Sequence, residues 1–166
     1  MSKIIALSLL LLTVSYGSMT QKFPFIGVSV TTEEIDIKPS DKKRETGISL
    51  RYGQQTQEWR TTFSLEHHGS AYNSFAVEID KILLDEMFGT PKLRPYLGGA
   101  LGYMKFDDKN DVYDESNGFY YGGRFGFIIY AGDDADIDIG YHYYKVENLD
   151  FVDDMHGASA GIHYFF

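Results

Sequence analysis

A period-two alternation of apolar and polar residues, starting near Phe23 and recurring to Phe166, restricts the fold of this chain more than any other feature. It places successive side chains on opposite faces of a strand, whereas a helix repeats near 3.6. Eight segments carry it, separated by Gly, Asp, Asn and Pro clusters that signal turns. The alternation predicts strands over Pro24–Thr32, Thr46–Gln54, Glu58–His68, Ser74–Lys81, Arg94–Phe106, Gly118–Ala131, Asp136–Val146 and Gly157–Phe166. In the sixth, Phe119, Tyr121, Phe125, Phe127 and Ile129 share one face, and Tyr120, Gly122, Arg124 and Gly126 the other. The seventh sets Ile137, Ile139, Tyr141 and Tyr143 against Asp136, Asp138, Gly140 and His142. The second and third repeat the pattern, with Leu50 against Arg51 and Phe63 against Arg60.

Such strands suit two opposite arrangements. A soluble sandwich, or a lipocalin-like barrel holding an apolar ligand, turns the apolar face inward; a membrane barrel turns it out to lipid. Three features favour the membrane. The polar face carries Gly98, Gly102, Gly122, Gly126, Gly140 and Gly161 beside Arg124, His142 and His163. Glycines weaken a solvent-facing strand, but inside a narrow barrel they make room for large side chains. Aromatics lie near strand ends (Phe23, Phe25, Trp59, Tyr96, Phe106, Tyr130, Tyr143, Tyr164 and Phe166), as interfacial girdles do. Finally, Ala158, Ala160, Ile162, Tyr164 and Phe166 form an apolar row to the last residue. The expected fold is therefore all-β, an eight-stranded antiparallel up-and-down transmembrane β-barrel.

The first residues read as a targeting segment. Lys3 precedes an 11-residue, mostly apolar stretch from Ile4 to Val14, and small residues follow at Ser15 and Gly17. The stretch is too short for a transmembrane helix, which needs about 20 residues. The expectation is a cleaved signal peptide over residues 1–17 and a barrel over 18–166, with the formal charge moving from −9 to −10 as Lys3 leaves. This acidity argues against a nucleic-acid partner, since phosphate neutralisation needs clustered Lys and Arg. The run Lys42-Lys43-Arg44 is short and followed by Glu45, which suits a solvated loop. Without cysteine the chain has no disulfide, no thiolate nucleophile and no N-terminal lipoprotein anchor.

Arg94-Pro95-Tyr96-Leu97-Gly98-Gly99-Ala100-Leu101-Gly102-Tyr103 resembles the central strand of the small outer-membrane β-barrels, the OmpA-like and opacity-type proteins. The Gly-rich sixth segment, Asp136 to Tyr144, and Gly161-Ile162-His163-Tyr164-Phe165-Phe166 resemble later strands of that family. The likeness is good over 94–166 and one of pattern before that. It implies insertion in the outer membrane, contact with lipid and lipopolysaccharide, and a monomer. It also implies that the barrel assembly machinery reads the row Ala158, Ala160, Ile162, Tyr164 and Phe166. An even strand number leaves both ends periplasmic, with surface loops over 33–45, 69–73, 107–117 and 147–156. Short turns are expected at 55–57 and 132–135, while 83–93 is longer than a usual periplasmic turn.

No residue pattern points to catalysis or a cofactor. His156 and Ser159 are three apart, on opposite sides of a strand, and no G-x-S-x-G elbow exists. Asp107, Asp108, Asp111, Asp114 and Glu115, with Asp153 and Asp154, read as solvated loop acids. Asp134, Asp136 and Asp138 lack the glycine of a calcium loop, and strand alternation accounts for their spacing. His67 and His68 point to opposite faces, and His142 and His163 suit an interior hydrogen-bond network, so no metal site is expected. The informative charges fall on the lumen face: Arg51, Arg60 and Arg124 with Glu66, Glu78, Asp80 and Asp138. An eight-stranded barrel is narrow enough for side chains to fill, and a buried charge needs a partner. This predicts a plugged, ion-paired interior; the alternative is a narrow channel for small or apolar solutes. No surface ligand can be read from the loops.

Overall fold

The computed structural model describes residues 21–37, 41–69, 72–83, 89–90, 92–106, 116–149 and 151–166. Eight strands follow in chain order: β1 (Phe23–Ile37), β2 (Asp41–Gln55), β3 (Trp59–His68), β4 (Tyr72–Ile82), β5 (Leu93–Phe106), β6 (Ser116–Tyr130), β7 (Ala135–Glu147) and β8 (Val152–Phe165). Each pairs antiparallel with its sequence neighbour, and β8 returns to β1, closing the barrel. Closure leaves no unpaired edge, the requirement for strands in hydrocarbon. Among the described residues no helix is long and apolar enough to cross a membrane.

The orientation is the inverted one. Ile26, Val28, Leu50, Leu65, Leu97, Leu101, Phe125, Ile139 and Ile162 lie exposed on the outside, while Arg51, Arg60, Glu78, Asp80, Arg124 and Asp138 are buried within. A lipocalin-like interior is thereby overturned, because the apolar faces point away from the lumen.

Several boundaries differ from the sequence reading. The expected surface loop 33–45 is largely strand, since the β1–β2 ladder continues to Ile37 opposite Asp41. Its charges had masked the alternation, which persists: Thr31, Glu33 and Ile35 point inward and are buried. On the outer face Glu34 opposes Arg44 and Asp36 opposes Lys42, so opposite charges stabilise the extension. Likewise β8 begins at Val152, so Asp153, Asp154 and His156 are strand residues. Asn148 makes the β7–β8 turn with φ of 66°, a left-handed conformation that Asn tolerates. The turn joining β2 to β3 is tied by Trp59 N–H donating to Thr56 Oγ1 at 3.0 Å. The expected signal peptide, the acids Asp107 to Glu115 and part of 83–93 lie outside the described residues.

The girdle assignment also needs correction. Phe25 and Tyr96 are buried in the lumen, on the inward parity of their strands. Trp59, Tyr143, Tyr164 and Phe166 do face outward; Tyr130 is half-buried.

Candidate functional site

The lumen is built in layers. At the end bearing the β1–β2, β3–β4, β5–β6 and β7–β8 connections, Ile35, Met104, Val146, Leu149, Val152 and Met155 form an apolar cluster with Tyr72, Tyr120 and Tyr144. At the opposite end Ile82, Tyr96 and Ile128 pack together, with Tyr130 against them. Gln55 Nε2 donates to Tyr130 Oη there at 3.1 Å. Charges occupy the space between.

Three arginines from β2, β3 and β6 meet three carboxylates from β4 and β7. Arg51 Nη2 donates to Glu78 Oε2 at 2.5 Å, and Arg124 pairs with the same carboxylate. Arg60 donates through Nε and Nη2 to Asp80 Oδ2 at 3.1 Å and also bonds Asp138 on the far wall. Arg124 Nε lies 3.4 Å from Asp80 Oδ1. Tyr96 sits at the centre: it donates to Asp138 Oδ1 at 3.2 Å and accepts from Arg124 Nη2 at 3.1 Å. The Arg60 and Arg124 guanidinium carbons lie 4.9 and 5.3 Å from its ring centroid. Three cations against three anions make the cluster neutral, and shared hydrogen bonds offset the desolvation of burying them.

The barrel walls permit this crowding because glycines stand beside the largest side chains. A Cβ at Gly140 would collide with Tyr96 Oη, and one at Gly98 with the Asp80 carboxylate. Gly98, Gly102 and Gly140 are thus recesses for Asp80, Tyr120 and Tyr96.

Of the lumen residues expected from sequence, Arg51, Arg60, Glu78, Asp80, Arg124 and Asp138 come together. Glu66 does not join them; it is half-buried, 3.5 Å from His68 Nε2. Among the interior polar groups not expected from sequence are Glu33, Tyr96, Asp136 and His68. Glu33 was hidden by the loop assignment, Tyr96 by the girdle assignment, and Asp136 was left out of the network although its Oδ1 lies 2.8 Å from His163 Nδ1. Parity held the missing signal, because Tyr96 shares its face with Gly98 and Gly102. Ala158, Ala160, Ile162, Tyr164 and Phe166 all lie exposed on the outer face.

No protein-family model matches the sequence, and no curated protein does. Solved structures do match. Neisserial surface protein A (NspA) superposes with a TM-score of 0.63 at 16% identity, over 86% of this chain and 97% of that one. Outer membrane protein H (OprH) from P. aeruginosa, solved in DHPC micelles, gives 0.61 at 18% identity, over 87% and 99%. Ail, the attachment invasion locus protein of Yersinia pestis, gives 0.53 at 15% identity, over 89% and 100%. The chain therefore has the fold of the small eight-stranded outer-membrane β-barrels.

Proposed function

We propose that this protein is an integral outer-membrane barrel with a closed lumen, exported through the cleaved segment 1–17, and that its work is done by its outer wall and connecting loops in envelope structure and surface contact. It is not an enzyme on this reading. One observation carries the proposal: among the described residues, side chains occupy the interior in three successive layers. Two apolar layers flank a neutral ion network. The cavity lined by Ser29, Glu33, Arg51, Glu78, Tyr120 and Arg124 measures about 20 Å³, room for a single water. A filled interior of this kind supports the plugged reading over the narrow channel.

The partners proposed are membrane lipid, lipopolysaccharide and, during biogenesis, the barrel assembly machinery. The outward Val28, Leu50 and Ile162 suit acyl chains. Above them the outward Lys42 and Arg44, paired with Glu34 and Asp36, offer charged contacts at headgroup level. Single-channel recording of the purified protein in planar bilayers tests the closed lumen. The expected result is an absence of steady openings; sustained unitary conductance overturns it.

A further inference from the structure

We infer that the lumen holds a site built to bind one divalent transition-metal ion between Glu33, Glu66 and His68, with His142 against the same Glu33 carboxylate. One ligand atom each from Glu33, Glu66 and His68 lies within 4.8 Å of the others. His142 Nε2 approaches the same Glu33 from the opposite side, 2.7 Å from Oε1. Three donors thus converge from β1 and β3, and His142 of β7 meets the carboxylate they share.

The walls are cut to let them meet. Glu33 is on β1, and β2 and β8 lie between it and the two histidines. On β2 the intervening position is Gly47, where a Cβ would stand 2.6 Å from the His68 ring. On β8 it is Gly157, paired both to Glu33 and to His142, where a Cβ would lie 2.9 Å from Glu33 Cγ. Any larger residue at either position would separate an imidazole from the carboxylate.

Both imidazoles are held in place by stacking, and that of His68 lacks any hydrogen-bond partner. His68 stacks on Tyr72 with centroids 4.2 Å apart, and His142 stacks on Tyr144 at 4.6 Å. His68 is wholly buried, and neither its Nδ1 nor its Nε2 makes a hydrogen bond, while His142 Nε2 lies 2.7 Å from Glu33 Oε1. Buried polar atoms are rarely left so, and a cluster of them facing two carboxylates points to an occupant. Tyr72 Oη donates to Glu33, the kind of outer contact that orients a ligand carboxylate.

The donor chemistry selects the ion. One imidazole and two carboxylates suit Zn²⁺, which takes N and O ligands at about 2.0–2.2 Å and, with three protein ligands, keeps a fourth tetrahedral position open. The two carboxylates neutralise a dication, whereas the arginine cluster is already balanced. Glu33, Glu66 and His142 also line the cavity of about 20 Å³. The next inward residues towards the loop end are Ile35 after Glu33 and Tyr144 and Val146 after His142, all in the apolar cluster. That layer covers the site, so the ion enters as the barrel forms and leaves slowly.

The test is to fold the full chain in micelles with Zn²⁺, wash it with chelator and measure metal per chain by mass spectrometry. About one Zn²⁺ per folded barrel is expected, released when heat unfolds it. Changing His68→Gln or Glu66→Gln should lower affinity by more than the about 10–100-fold that outer-shell changes cost. His67→Gln, on the outer face, should leave it unchanged. Zinc-free folded protein overturns the site, as does equal loss in His67→Gln and His68→Gln. Should the ligand variants not fold, Co²⁺ in the unaltered protein decides. An intense tetrahedral visible band supports the site, and a weak octahedral one overturns it.

Discussion

Arg60 on β3 and Asp80 on β4 face each other directly across their ladder, and the guanidinium donates twice to one carboxylate oxygen with neither side chain reaching solvent. The same guanidinium also bonds Asp138 on β7. One side chain therefore ties adjacent strands together and braces them against the opposite wall.

Asp138 has Arg60, Tyr96, Arg51 and Arg124 around it. Asp138→Ala leaves buried guanidinium charge uncompensated, which costs about 3–5 kcal/mol. Denaturant unfolding in micelles, followed by gel mobility, should show this loss. A change below about 1 kcal/mol would mean that water, not protein, solvates these arginines.

Gly140 and Tyr96 should be coupled. A Cβ at Gly140 meets only the Tyr96 hydroxyl closely; its next neighbours, Phe125 O and Ser159 Oγ, are 3.4 and 3.5 Å away. Gly140→Ala alone should destabilise by about 1–3 kcal/mol through overpacking. In a Tyr96→Phe background the added methyl should cost much less. Additive effects in the double-mutant cycle would refute the recess assignment.

The outer wall should show depth dependence. Leu50 lies between Tyr52 and Ile48 on the outward face of β2, and Thr46 lies further towards the loop end. Leu50→Arg should cost about 2–4 kcal/mol in bilayers and Thr46→Arg about 0–1. Equal costs would place the apolar band elsewhere.

Phe166 is 68% exposed, and its N–H donates to Pro24 O at 3.1 Å, a backbone contact that Phe166→Ser keeps. If the outward row serves assembly, Phe166→Ser should lower folded protein in cell envelopes several-fold yet refold normally in micelles. Normal envelope levels would remove the assembly role.

Parity made much of the fold legible. Glycines sharing a face with Arg124 and His142 mark that face as the lumen. Reading failed where a second influence overlay the alternation. The charges of 33–45 suggested a loop, yet on paired strands they answer one another across the ladder, as Glu34 and Arg44 do. Tyr96 was assigned by its nearness to a strand end, although its parity with Gly98 put it inside.

From the residues alone follow the eight two-faced strands, the lumen face and most of the charges on it, because side-chain direction in a strand depends only on even or odd position. Which arginine meets which acid is different. Arg60 and Asp138 are 78 residues apart and touch across the lumen. The stagger of the closed barrel brings them level. The same holds for Glu33, His68 and His142, which sequence scatters and closure assembles.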